Sequence, residues 1–157
     1  KDISVRGLKQ QHHELFGNIY DWAGNFRDYT TGRGLPFCRP EFIENELNKI
    51  YTKVNNSIRF GVSEDIFISA AAEFIGDLNA IHPFIEGNGR TQRLSLSFLA
   101  KKANYIISPN KLDKDSWYKA AEISHIHADY SIFQNIIKNS LSTNKIQSQK
   151  TSKDIQR

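Results

Sequence analysis

The chain of 157 residues has no methionine and one cysteine. A single thiol, Cys38, can form neither an internal disulfide nor a cysteine-based zinc site, and it fits a reducing, cytoplasmic setting. The missing start residue leads us to expect an excised or processed piece of a longer chain. No run approaches the ~20 apolar residues that span a bilayer, and the opening KDISVRGLKQ lacks the apolar stretch of a signal peptide. No membrane partner is therefore expected. Acidic residues are the minority, 17 against 21 Lys and Arg, for a net charge of +4. That excess invites a nucleic-acid reading, but its placement argues otherwise. Lys145, Lys150, Lys153 and Arg157 face only Asp154 in residues 142–157, so this polar tail carries +3 and residues 1–141 only +1. No nucleic-acid partner is expected, and residues 142–157 read as a disordered linker following a domain at 1–141.

What is present is mostly helical in period. Leu8, Leu15, Ile19 and Trp22 share a face of a first helix over about 5–22. Pro40, followed by Glu41 and Glu44, opens a second that carries Phe42, Ile43, Leu47, Ile50, Tyr51, Val54 and Ile58. Ser63 caps a third, with Glu64 and Asp65 in its first turn and Ile66, Phe67, Ala70, Ala71, Phe74, Ile75, Leu78 and Ile81 along its apolar face. A fourth begins near Asn88 and runs to about Ala103, and two more cover about 114–127 and 130–141, the last with Asp129 as a cap. The expected fold class is all-α, a bundle of about six or more helices. Between the first two helices, residues 26–38 are rich in strand formers around Gly32-Arg33-Gly34 and predict an exposed β-hairpin. Such a hairpin is marginal alone and must lean on the helices.

The chemistry is densest in His82-Pro83-Phe84-Ile85-Glu86-Gly87-Asn88-Gly89-Arg90-Thr91-Gln92-Arg93, between the third and fourth helices. Pro83 ends the third helix at His82. Gly87 and Gly89 let the backbone turn and approach a ligand, and the fourth helix presents unpaired N–H groups there, an arrangement suited to phosphate. Arg90 and Arg93, three apart, share a face just above it and add multi-donor contacts. Glu86 would repel a polyphosphate unless a cation lay between them, so it reads as a magnesium ligand. His82 alone in the loop titrates near neutral pH and is the candidate general base. The residues by themselves stop at a nucleotide polyphosphate, a metal and a base. The pairs His12-His13 and His125-x-His127 lack a carboxylate or cysteine at ligand spacing and read as exposed or capping histidines, and Trp117 and Tyr118 as core and rim of the fifth helix.

HPFIEGNGRTQR resembles the signature of Fic domains, His-x-Phe-x-Asp/Glu-Gly-Asn-Gly-Arg-x-x-Arg, at every defining position. LFGNIYDWAGNFR (15–27) and FCRPEFIENEL (37–47) are similar to the family's first helix and flap end, so the resemblance covers about 5–141. The flanking segments look most like secreted bacterial effectors of the Bartonella type. The resemblance implies a protein adenylyltransferase that moves AMP from ATP to a Tyr, Ser or Thr hydroxyl. It implies His82 as base, Glu86 on Mg2+, Asn88 and the N–H groups around Gly87 and Gly89 on the α-phosphate, Arg90 on the β-phosphate and Arg93 toward the γ-phosphate. Phe84 would be the loop's buried anchor. The hairpin would be a flap pairing with an extended target segment, with Asp28, Tyr29, Thr30, Arg33 and Leu35 as specificity positions. Arg27, Arg33 and Arg39 against Asp28 give residues 25–40 a local +2, complementary to an acidic target patch.

Many Fic proteins carry an inhibitory helix, Ser/Thr-x-x-x-Glu-Gly/Asn, whose glutamate pairs with the arginine matching Arg93. These residues contain no match, which implies an antitoxin-like inhibitory partner or a segment outside the sequence. Family members that transfer UMP, phosphocholine or phosphate supply the alternative chemistry, and a non-catalytic interaction module is a further one. Implied targets are a host small GTPase of the Rho type, which would place the protein in the host cytosol after secretion, or, for a toxin, a bacterial topoisomerase.

Overall fold

The computed structural model describes residues 2–143. Its elements run α1 (Val5–Phe16), β1 (Gly32–Arg33), β2 (Leu35–Pro36), a 3-10 turn (Pro40–Phe42), α2 (Ile43–Ser57), α3 (Glu64–Ile81), α4 (Asn88–Lys102), β3 (Tyr105–Ile107), a second 3-10 turn (Pro109–Lys111), α5 (Lys114–His127), α6 (Ser131–Ser140) and β4 (Leu141–Thr143). The all-α fold is as expected. No helix of the described residues is long and apolar enough to cross a membrane.

The centre is α3, which packs against α2, α4, α5 and α6. Ser63 starts it by accepting a hydrogen bond from the Ile66 N–H, and Glu64 and Asp65 complement its dipole. Phe67, Ala71, Ala72, Phe74, Ile75 and Leu78 are buried on several sides of it, as a helix enclosed by others requires. Burying one side chain of Phe67's size stabilises by about 1.5–3 kcal/mol. Ile66 and Phe42, assigned to core faces, are instead about half exposed, at 52% and 51%. Each is followed by a fully buried residue, Ile43 or Phe67, and lies on the solvent side of its helix start.

Buried polar bonds fix the helices around the third-to-fourth junction. The Ser95 hydroxyl donates to Gln11 Oε1 (2.6 Å), joining α4 to α1. Trp117 Nε1 of α5 donates to Gln92 Oε1 (2.9 Å), and Gln92 Nε2 donates to Asn79 Oδ1 (3.3 Å). Asn79 Nδ2 in turn donates to the Ala121 carbonyl (3.2 Å). Once made, such bonds are costly to break, because each would leave a buried polar group without its partner.

Three boundaries differ from expectation. The first helix ends at Phe16, not near 22, because the chain unwinds at Gly17 and folds back along α1; Leu15 and Ile19 are exposed as a result. The hairpin is paired only over Gly32–Pro36, with Arg33 opposite Leu35 and one further bond from the Phe37 N–H to the Thr31 carbonyl. Its incoming arm joins the motif loop instead, through the Arg27 N–H and the Pro83 carbonyl (2.9 Å). An unpredicted antiparallel pair, β3 with β4, matches Tyr105 to Thr143 and Ile107 to Leu141 and carries regular structure past residue 141. The rest of the expected linker, 144–157, lies outside the described residues.

Candidate active site

The loop between α3 and α4 is held from every side. His82 caps α3 in the left-handed region (φ 50°, ψ 62°), its N–H still bonded to the Leu78 carbonyl. Pro83 behind it disfavours helix. Phe84 is buried, and the Asn88 side chain clamps it: Phe84 N–H donates to Asn88 Oδ1 (3.0 Å), and Asn88 Nδ2 donates to the Phe84 carbonyl (2.8 Å). This revises the expectation for Asn88. Its amide is engaged in closing the loop, so what it offers an anion is its backbone N–H in the first turn of α4.

That turn has no side-chain cap and no acidic residue. Its N-cap is Gly87 (φ 81°), and a Cβ there would stand 2.3 Å from Phe16 Cε2, so only glycine fits. At Gly89 a Cβ would come within 3.3 Å of Arg93 Nη1, so its absence lets that guanidinium lie along the helix start. Arg90 sits over the Phe16 ring (6.0 Å) and Arg93 over the Trp117 ring (5.8 Å), so each cation has its own aromatic support. Burial, then the charge of Arg90, lowers the pKa of Arg93 from its ordinary value. Two cations and a bare helix N-terminus thus converge on one small volume, an arrangement that stabilises an anion with several negative oxygens.

Glu86 is exposed beside this cradle, and Oε2 of its carboxylate accepts a hydrogen bond from the Tyr20 hydroxyl (2.8 Å). That bond raises the pKa of Tyr20. Among the described residues no three His, Cys, Asp or Glu side chains gather to hold a metal. A single accessible carboxylate beside a phosphate site nevertheless fits magnesium, which commonly takes one or two carboxylates with phosphate oxygens and water completing its shell.

The His82 ring stacks on Phe37 at the flap's outgoing end (3.8 Å, 5°), and Phe37 on His125 of α5 (4.7 Å). His125 Nε2 lies 3.2 Å from the Leu35 carbonyl in β2. The flap thus leans on α5 and on the candidate base together. Of the predicted flap positions, Asp28, Tyr29, Thr30 and Leu35 are exposed, and Arg33 belongs to β1. Arg27 does not join their surface. It is 2% exposed, so its charge is withdrawn from the surface sum expected there.

Four contributors escaped the sequence reasoning: Tyr20, His12, Phe37 and Arg27. His12, expected exposed or capping, is fully buried and stacked on Phe84 (3.8 Å, 14°). The Gly24 N–H donates to its Nδ1 (2.8 Å), so Nε2 carries the proton and donates to the Glu86 carbonyl (2.9 Å). Burial pushes its pKa below the ordinary value and keeps it neutral, as this bonding requires. All four lie in stretches singled out from the sequence, 15–27, 37–47 and the His12-His13 pair, without this role attached.

A sequence model described as Fic/DOC family matches residues 2–100. "Probable protein adenylyltransferase y4lH" of Sinorhizobium fredii is 36% identical over 115 residues, covering 71% of this chain and 60% of that protein. "Protein adenylyltransferase VbhT" of Bartonella schoenbuchensis is 30% identical over 136 residues, covering 85% of this chain and 28% of that protein. Among solved structures, the N-terminal Fic domain of a VirB-translocated Bep effector protein from Bartonella quintana superposes with a TM-score of 0.82 at 25% identity, covering 99% of this chain and 77% of that one. The chain spans about 60% of the length of the first curated relatives it matches.

Proposed function

Because this chain belongs to the Fic/DOC family, we propose that it is a protein adenylyltransferase, moving AMP from ATP to a Tyr, Ser or Thr hydroxyl of another protein. The observation that carries the proposal is the junction itself: a histidine fixed at the end of α3 opposite an uncapped α4 N-terminus with Arg90 and Arg93 beside it. The names of the relatives support the same reaction.

In this mechanism His82 accepts the proton of the target hydroxyl as its oxygen bonds to the α-phosphorus. The bond from that phosphorus to the α,β-bridging oxygen breaks, and pyrophosphate leaves with the electron pair. The N–H groups of Gly87, Asn88 and Gly89 hold the α-phosphate oxygens as charge builds on them, where fixed donors act most strongly. Arg90 holds the β-phosphate and Arg93 the γ-phosphate end. Glu86, steadied by Tyr20, would hold a Mg2+ ion, which neutralises phosphate charge when bound. The flap pairs with an extended target segment, and Asp28, Tyr29, Thr30, Arg33 and Leu35 select it. Delivery into a host cell follows the translocated effectors among the neighbours; the proposed target there is a small GTPase of the Rho type, and a bacterial topoisomerase is the alternative. An antitoxin-like protein that places a glutamate on Arg93 would block the γ-phosphate.

The test adds the chain, ATP and Mg2+ to host and bacterial lysates and reads the adducts by mass spectrometry. An AMP adduct on a hydroxyl is expected. A phosphocholine or phosphate adduct, or none in either lysate, would overturn the proposal.

A further inference from the structure

An arginine is seldom fully buried without a carboxylate, yet the described side-chain bonds of Arg27 all end on backbone carbonyls. Nε donates to His82 (2.7 Å), Nη1 to Tyr29 (2.8 Å), and Nη2 both to Ile81 (2.9 Å) and to Cys38. Its own N–H donates to Pro83. Ile81 and His82 are the C-terminal end of α3, the negative pole of a helix dipole, which suits a buried cation. Tyr29 and Cys38 flank the flap on its two arms. One rigid, planar fork therefore touches the backbone of the candidate base and both ends of the flap.

His82 occupies a left-handed conformation that a non-glycine residue keeps only when its surroundings hold it there. Arg27 supplies two of the bonds that do so. The flap has few pairings of its own, and Arg27 takes a carbonyl from each arm. We propose that Arg27 is a positioning residue that sets the distance between a flap-bound target hydroxyl and His82. This rests on the adenylyl-transfer reading of the site. Lysine cannot replace it, because an ammonium keeps the charge but not the fork of donors that spans four carbonyls.

The test compares the whole chain with Arg27→Lys. Without nucleotide or target, hydrogen exchange should speed up at the Arg27, Phe37 and Cys38 amides and stay unchanged in α2 and in the body of α4. The maximal rate of label transfer from α-labelled ATP into lysate proteins should fall about 100-fold, the scale of a 1 Å misplacement. KM for ATP should stay within about twofold, because Arg27 touches no residue of 86–93. Unchanged exchange, or an unchanged maximal rate, overturns the proposal. So does a variant that fails to fold or loses protection throughout, since Arg27 would then serve the fold alone. If the wild type labels nothing, the proposed reaction fails, while the exchange arm still decides whether the clamp exists.

Discussion

The motif loop and the flap lie against each other, yet they are built on opposite principles. In the loop from His82 to Asn88, backbone groups are engaged by side chains: His12 and Arg27, from outside it, on Glu86 and His82, and the loop's own Asn88 on Phe84. The flap has a two-residue pairing at its tip, where the Leu35 carbonyl lies against His125, and is fastened at its base by Arg27 and by Phe37 stacked on His82 and His125. A phosphate cradle has to be in place before the substrate arrives, because its advantage comes from not reorganising during reaction. A surface proposed to read another protein gains from exposed side chains on a scaffold held at a few points.

Substitutions in the two regions should therefore behave differently. The largest effect is expected at Gly87→Ala, where a left-handed φ costs about 1–2 kcal/mol and the overlap with Phe16 about 1–3 more. A fall of about 3 kcal/mol in stability to urea would show the loop to be as unyielding as its packing implies; a loss under 1 kcal/mol would show that it relaxes. His12→Ala removes a buried ring stacked on Phe84 and strands the Gly24 N–H and the Glu86 carbonyl. About 2–3 kcal/mol should be lost by the same measurement. Arg93→Ala leaves the fold intact and weakens ATP binding roughly 10–100-fold, the worth of a charged hydrogen bond of about 1.5–3 kcal/mol, readable by calorimetry. Leu35→Ala, half exposed on the flap, should change stability by less than about 0.5 kcal/mol. It should alter which lysate proteins are labelled while KM for ATP holds.

The same contrast explains what was legible in the sequence. The helices were, because Ser63, the acidic first turn of α3 and the proline after His82 are local signals. The loop's glycines and arginines were too, since their spacing places them at a helix start. The α1 boundary was not: Ile19 and Trp22 continue the helical period, and only the return of Gly24 onto His12 shows why the chain unwinds. Arg27 and His12 were legible as residues and illegible as parts of the site, because their partners at the end of α3 and in the motif loop are carbonyls 54 to 74 positions away, and a carbonyl has no sequence signature. The β3–β4 pair failed for a related reason. Tyr105-Ile106-Ile107 is too short to declare itself, and its partner strand enters the polar stretch read as linker.

The claim that the junction is the centre of transfer is tested most directly by His82→Ala, with ATP binding and label transfer measured on one preparation. ATP affinity is expected to stay within about twofold of wild type and transfer to fall by about 10²–10⁴-fold, the usual contribution of a general base. Transfer at the wild-type rate would contradict that claim.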